Sequence, residues 1–240
     1  MKIEILFSKL CDLNGDSKNV DFLKRSLPQA EFIMTEVTDE KPYFAEHDVD
    51  MVCMGAMSEP SQKRVTGYLL PYKARIMELI DNNVVFLMTG NALEVFTERI
   101  DNVTMKDSYE GLGIFPLTTE IDLFKRYNGK VMGKVGDITL VGFKSQFSRV
   151  LGDAKDCCLF VAERGGGLDR VGSFEGVRKN NFMGTHMLGP LLVLNPLFTE
   201  YIMGLLGVEE PRCAFREEVM AAYEKRLSEF RNKVVPFDRQ

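Results

Sequence analysis

Two short runs, DMVCMG (50–55), apolar from Met51 onward, and VVFLM (84–88), apolar throughout, constrain the fold of this chain more than any other feature. A strand with one solvated face alternates apolar and polar residues, whereas a strand covered on both faces reads as an unbroken apolar run. Between the two lies SEPSQKRVTGYLLPYKARIMELIDN (58–82), which opens on Ser58, Glu59 and Pro60 and is expected to kink or divide at Pro71. Upstream, KIEILFS (2–8), a short helical VDFLKRSL and EFIMTEV (31–37) repeat the same order. Strand alternating with helix predicts an α/β fold with a mostly parallel central sheet flanked by helices.

The second half changes character. KVMGKVG, DITLVGF, CCLFVAE and SFEGVRK are short runs separated by turns, expected to form an antiparallel extension beside the parallel core. FMGTHML (182–188) reads as a further strand and NPLFTEYIMGLLG (195–207) as a helix. The last segment, residues 212–232, is an amphipathic helix with Val219, Met220, Tyr223, Leu227 and Phe230 on one side. It is expected to cap the domain edge, with partner binding as the alternative. No repeat or long linker interrupts the chain, so residues 1–240 are expected to form a single domain.

A hydrophobic content of 45% and a charged content of 27% suit a soluble chain able to bury its own core. The formal charge of −5 argues against a nucleic-acid binder, which would carry a basic field. Cys11, Cys53, Cys157, Cys158 and Cys213 are odd in number and lack C-x-x-C spacing, so neither a disulfide framework nor a metal site is indicated. A reducing cytoplasm is the expected compartment. No stretch is apolar for long enough to span a membrane.

The segment VVFLMTGNALEVF carries the chemical signal. A buried strand, a tight glycine-containing turn and then a helix describe a nucleophile elbow, which lifts one side chain above the sheet edge beside backbone N–H donors. In a glutaminase the lifted residue must be cysteine, because its thiolate attacks the amide carbon. Here the position is Gly90, which has nothing to attack with.

Four segments in order resemble the class I glutamine amidotransferases of CobQ/CobB type, and among them the glutaminase subunits of lipid II isoglutaminyl synthases. LMTGNALEVF falls at the cysteine elbow; EGLGIFPLTTE (110–120) resembles the E-G-L-G-I segment. LVGFKSQFSRV (140–150) resembles a G-F-E-N-H-G-G-R-T stretch, keeping Gly142, Phe143 and Arg149. MGTHMLGPLL (183–192) resembles the G-T-x-x-H-G-P strand that ends in the catalytic histidine, with Leu188 at the histidine. The resemblance implies a class I glutaminase fold with a flavodoxin-like core. It also implies that nucleophile and base are both lost, at Gly90 and Leu188. Gln146 stands at a second family histidine, Glu94 where glutamine is frequent, and GAMSE (55–59), beginning at Gly55, replaces a G-G-G-S-D turn that forms part of the oxyanion hole.

What remains is a set of candidate ligand contacts. Arg126, in RYNG, matches an arginine that the resemblance associates with glutamine binding, and a guanidinium can grip an α-carboxylate in two places. Asn91 flanks the elbow and His186 lies two residues before Leu188, on the same face if the strand continues. Arg149 reads as structural, Cys53, Cys157 and Cys158 as core positions within strands, and His47 as a polar-loop residue. The resulting expectation is a catalytically inactive glutaminase-like domain without cofactor. Its expected partners are a Mur-ligase-like or other amide-forming synthetase and a small amino-acid-like ligand. The alternatives are an active amidotransferase or amidohydrolase rewired around His186, and a self-associating structural protein.

Overall fold

The apolar runs form adjacent parallel strands. In the computed structural model, which describes residues 1–240 apart from Arg170, Lys233, Val235 and Gln240, β1 (Lys2–Leu6), β2 (Glu31–Thr35), β3 (Met51–Met54) and β4 (Val85–Thr89) pair in the spatial order β4-β3-β1-β2. Every residue of β3 and β4 is buried, as a sheet covered on both faces requires. Helix α1 (Ser17–Ser26) follows β1. Ser58 caps α2 (Glu59–Leu69) by accepting the Ser61 N–H, and Pro60 occupies its first turn. Pro71 lies in a one-turn 3-10 segment, Leu70–Tyr72, that separates α2 from α3 (Lys73–Asp81).

Alternation along the strands sends side chains to two cores. Val52, Met54, Phe86 and Met88 pack against Val65, Leu69, Ile76 and Leu79 of α2 and α3. Ile3, Ile5, Cys53 and Leu87 face the other way, onto Phe22 and Leu23 of α1. The chain leaves β1 toward β2 on one side and returns to β3 on the other. The strand order therefore reverses between β1 and β3.

After β4 the expected helix does not form. Residues Gly90–Phe96 make a tight 3-10 run in which all but Asn91 are buried. An α-helix would have to send part of this apolar set to solvent, and the Thr97 hydroxyl ends the run by donating to the Glu94 carbonyl at 2.7 Å. The chain then enters β5 (Arg99–Asn102), β6 (Asp107–Glu110) and β7 (Thr118–Ile121), three strands hidden in the sequence by their polar residues. Gly136, at φ +59 in the first place of a two-residue turn, closes the hairpin of β8 (Tyr127–Val135) and β9 (Ile138–Gln146). Strand β10 (Ser148–Leu151) completes a four-stranded sheet in the order β10-β7-β5-β6.

The extension is thus two sheets: the four-stranded one is mixed, with β5 parallel to β7, and the second is antiparallel, built on the β8–β9 hairpin with β11 (Phe160–Arg164) and β12 (Phe174–Glu175). Cys157 and Cys158 lie in the turn before β11, outside the strand expected to contain them, because the run extends only from Phe160. SFEGVRK, expected as one strand, divides at Gly176 (φ +67), where a β-carbon would lie 2.3 Å from the Gly184 carbonyl oxygen. Its second half, β13 (Val177–Lys179), joins the central sheet as an antiparallel edge on β14 (Phe182–Thr185), and β14 runs parallel to β4. β14 stops at Thr185, three residues short of the expected end.

Two short helices, α4 (Leu191–Leu194) and α5 (Pro196–Leu205), cover the α1 face through Leu191, Leu192, Phe198 and Ile202. The terminal helix α6 (Arg216–Arg231) covers the hairpin: Tyr223 and Phe230 are buried with Met132 and Val141, and the Tyr223 hydroxyl donates to the Thr139 carbonyl at 2.7 Å. A last two-residue strand, β15 (Asp238–Arg239), pairs with β8. Among the described residues no helix is long and apolar enough to cross a membrane.

Candidate functional site

The carboxyl ends of β3, β4 and β14 open onto a cleft of about 410 Å³, lined by Leu13, Ala56, Gly90, Arg126, Gln146 and Leu188 among others. Gly90 stands at the elbow with φ +59, a conformation that costs a residue with a side chain about 1–3 kcal/mol. Its N–H donates to the Met187 carbonyl at 3.3 Å. A β-carbon on Gly90 would lie 2.5 Å from the Ala56 β-carbon and 3.3 Å from Leu188 Cδ2. The place of a β-carbon on Gly90 is already taken by Ala56.

His186 and Leu188 both line the cleft, although β14 ends before either of them. Past the end of β14 the chain turns, so Leu188 reaches over Gly90 while the His186 side chain is fully buried. His186 Nε2 lies 2.9 Å from Glu94 Oε1, and Glu94 is equally buried. Glu94 also accepts from Gln62 Nε2 at 2.7 Å and from the Ser148 hydroxyl. Gln146 Nε2 faces His186 Nδ1 at 3.5 Å and donates to the Ser148 carbonyl at 2.9 Å. An amide nitrogen has hydrogens but no lone pair to offer, so Nδ1 must accept and Nε2 carries the proton given to Glu94. Both ring nitrogens are engaged by the protein.

Behind this pair stands a second buried unit. Lys144 Nζ and Glu175 Oε2 are 2.8 Å apart with both side chains inaccessible to solvent, and Lys144 also donates to the Gly166 and Gly167 carbonyls. Glu175 Oε1 accepts the His186 N–H at 3.0 Å and the Thr185 hydroxyl at 2.9 Å. Burial pushes the Glu175 carboxyl upward, but Lys144, His186 and these hydrogen bonds outweigh it and hold the group below its ordinary range.

Two solved structures share this architecture. A chain from the structure of PurLQS from Thermotoga maritima superposes with a TM-score of 0.51 at 10% identity, covering 94% of this chain and 98% of that one. A glutamine amidotransferase from the same organism gives 0.51 at 11% identity, covering 95% and 98%. The chain has a glutamine amidotransferase-like fold. No family model matches its sequence, and no curated protein is significantly similar to it.

On that fold the candidate contacts separate into three groups. Glu94, Gln146 and His186 come together in the cleft floor. Asn91 is spent on backbone: its side chain accepts the Met57 N–H at 2.9 Å and donates to the Met57 carbonyl at 2.8 Å, fixing the turn after β3. Gly55 does not join the cleft; it packs on the loop before α1, where a β-carbon would lie 2.3 Å from the Cys11 carbonyl oxygen. Arg126 lies exposed at the rim, with Nε donating to the Ser145 hydroxyl at 2.9 Å and the guanidinium 5.2 Å from the Phe147 ring centre. Arg149 pairs with Glu120 at 2.6 Å.

No described cysteine lines the cleft. Burial pushes the Cys53 thiol up to about 12 and that of Cys213 to about 11, and raises Cys11 as well, so these are protonated thiols at neutral pH. His47 stacks on Tyr43 far from the elbow. Gln62, Ser148 and the Lys144–Glu175 pair escaped the sequence reading. The available signal was Lys144, a charge at an inward position of the otherwise apolar ITLVGFK run.

Proposed function

We propose that this chain is a glutaminase-fold subunit that binds and docks without hydrolysing glutamine. The observation that carries this reading is Gly90 at the elbow, a residue without a nucleophile whose β-carbon position is taken by Ala56. Amide hydrolysis in this class needs a cysteine thiolate and a base. Loss of either in a comparable triad costs about a million-fold in turnover. The burial of both His186 ring nitrogens in protein hydrogen bonds speaks against the alternative of a site rewired around that histidine.

The cleft still suits a small amino-acid-like ligand. Arg126, stacked on Phe147 and tethered through Nε, presents the outer edge of its guanidinium to a carboxylate. The expected partner is an amide-forming synthetase, Mur-ligase-like on the sequence resemblance.

Release of ammonia and glutamate from glutamine tests the reading, with glutamine titrated into labelled protein alongside. No turnover together with shifts around Arg126 is the expected result. Turnover that survives purification and scales with protein concentration overturns it.

A further inference from the structure

A second cleft, of about 750 Å³, lies between α2, the turn joining β5 to β6 and the end of β7. It shares Glu59 and Ile121 with the elbow cleft but contains neither Gly90 nor Leu188. Its walls are largely apolar, formed by Pro60, Met105, Tyr109, Ile121 and Leu123, and Met105 is 67% exposed. A concave apolar surface with a few polar groups suits a small organic ligand.

One polar side chain lining this cleft has a donor unspent. Asn102 ends β5 and pairs on both sides, with Asp107 of β6 and Ile121 of β7, so its backbone is fixed. The residue is 7% exposed, and its Oδ1 accepts the Met105 N–H at 2.9 Å. That bond sets the orientation of the amide, because only its oxygen can accept, and Nδ2 is left with two hydrogens and no acceptor among the described residues. The described side-chain polar atoms that are both closed to solvent and without a partner belong to Asp16 and Gln146. Nδ2 of Asn102 is not among them, so it can be reached from the cleft that the residue lines.

The charges around that donor favour an anion. Lys63 Nζ sits 2.8 and 2.7 Å from the two carboxylate oxygens of Asp107, so this pair neutralises itself. Arg64 and Lys106 are exposed and form no hydrogen bond or ion pair with the described residues. Against them stands one carboxylate, Glu59, on the wall shared with the elbow cleft. The cleft thus keeps an excess of positive charge in a chain whose formal charge is −5. An amide N–H and a guanidinium are both donors, and a carboxylate has two oxygens to accept them. We infer that this cleft binds a small organic carboxylate, its head on Asn102 Nδ2 and Arg64 and its apolar body along Met105, Tyr109 and Leu123.

The test is titration of the isotope-labelled full chain with phenylbutyrate, butyrate, phenylbutanol and phenylbutylamine at neutral pH, following the amide signals of Arg64, Asn102, Met105 and Tyr109. Saturable shifts are expected with phenylbutyrate, weaker ones with butyrate, and none with the alcohol or the amine. Asn102→Asp keeps an acceptor for the Met105 N–H but replaces the free donor with an oxygen that repels the ligand, and should weaken phenylbutyrate binding by about tenfold or more. Arg64→Gln, at an exposed position of α2, should weaken it as well and keeps the test decisive if the Asn102 variant fails to fold. Absence of a saturable shift with phenylbutyrate, an equal response to the alcohol or the amine, or undiminished binding by Arg64→Gln overturns the assignment.

Discussion

The His186 imidazole donates to the Glu94 carboxylate across 2.9 Å, with neither side chain accessible to solvent. Glu94 is the shared acceptor for Gln62 and Ser148 as well, so one carboxylate ties the elbow run to α2, β10 and the end of β14. Glu94→Ala should destabilise the protein by about 3 kcal/mol or more, since it strands the buried donors of His186 and Gln62 together with the half-buried Ser148 hydroxyl. Urea unfolding measures this; a loss below 1 kcal/mol, roughly that of a single ordinary hydrogen bond, would mean the pair is not the anchor described.

Gly90 should resist every side chain. Gly90→Ala is expected to cost about 2–4 kcal/mol, from positive φ and from overlap with Ala56. Ala56→Gly in the same chain should recover the overlap part, a coupling that a double-mutant cycle reads directly. Gly90→Cys combined with Leu188→His should give no measurable glutaminase activity.

Two buried carboxyls should respond to pH in opposite senses. Glu4 accepts from the Thr35 hydroxyl and the Tyr43 and Phe44 N–H groups, yet burial outweighs these and raises its pKa in the fold. Its contribution is therefore present below the ordinary carboxylate range and is lost as pH rises through the raised value. Glu175, held low, contributes at neutral pH and loses that contribution as pH falls through its depressed value. Denaturation midpoints against pH should show Glu4→Gln flattening the decline on the alkaline side. A double replacement, Lys144→Met with Glu175→Gln, should flatten the acid side. Unchanged profiles would contradict both assignments.

The α6 helix should be part of the core of the hairpin it covers. Phe230→Ala is expected to cost about 3–5 kcal/mol and Tyr223→Phe about 1 kcal/mol, the latter for its bond to Thr139. Hydrogen exchange supplies the local check: β8 and β9 should lose protection in Phe230→Ala before β3 and β4 do.

The parallel sheet was legible because its residues announce it. Continuous apolar strands, Ser58 with Pro60 at a helix start and Pro71 at a break are local signals with local causes, and each element formed within a few residues of its expected place. The segment from Arg99 to Ile121 was not legible, because its strands carry Thr, Asp and Glu and are held by pairing with one another and, through β7, with β10. The elbow was found from VVFLMTGN, but the 3-10 form of Gly90–Phe96 depends on the burial of nearly all its residues. His186 with Glu94 is a pairing across 92 positions, which no spacing rule reaches.

Gly176 joins β12 of one sheet to β13 of another with no residue to spare. Because the Gly184 carbonyl fills the room a β-carbon would need, any substituent there pushes β13 away from β14. β13 is the outermost strand of the central sheet and shields the backbone of Phe182–Thr185. Displacing it would bare a row of unpaired backbone N–H and C=O groups able to recruit another chain. That single hydrogen atom thus keeps the edge of the central sheet paired.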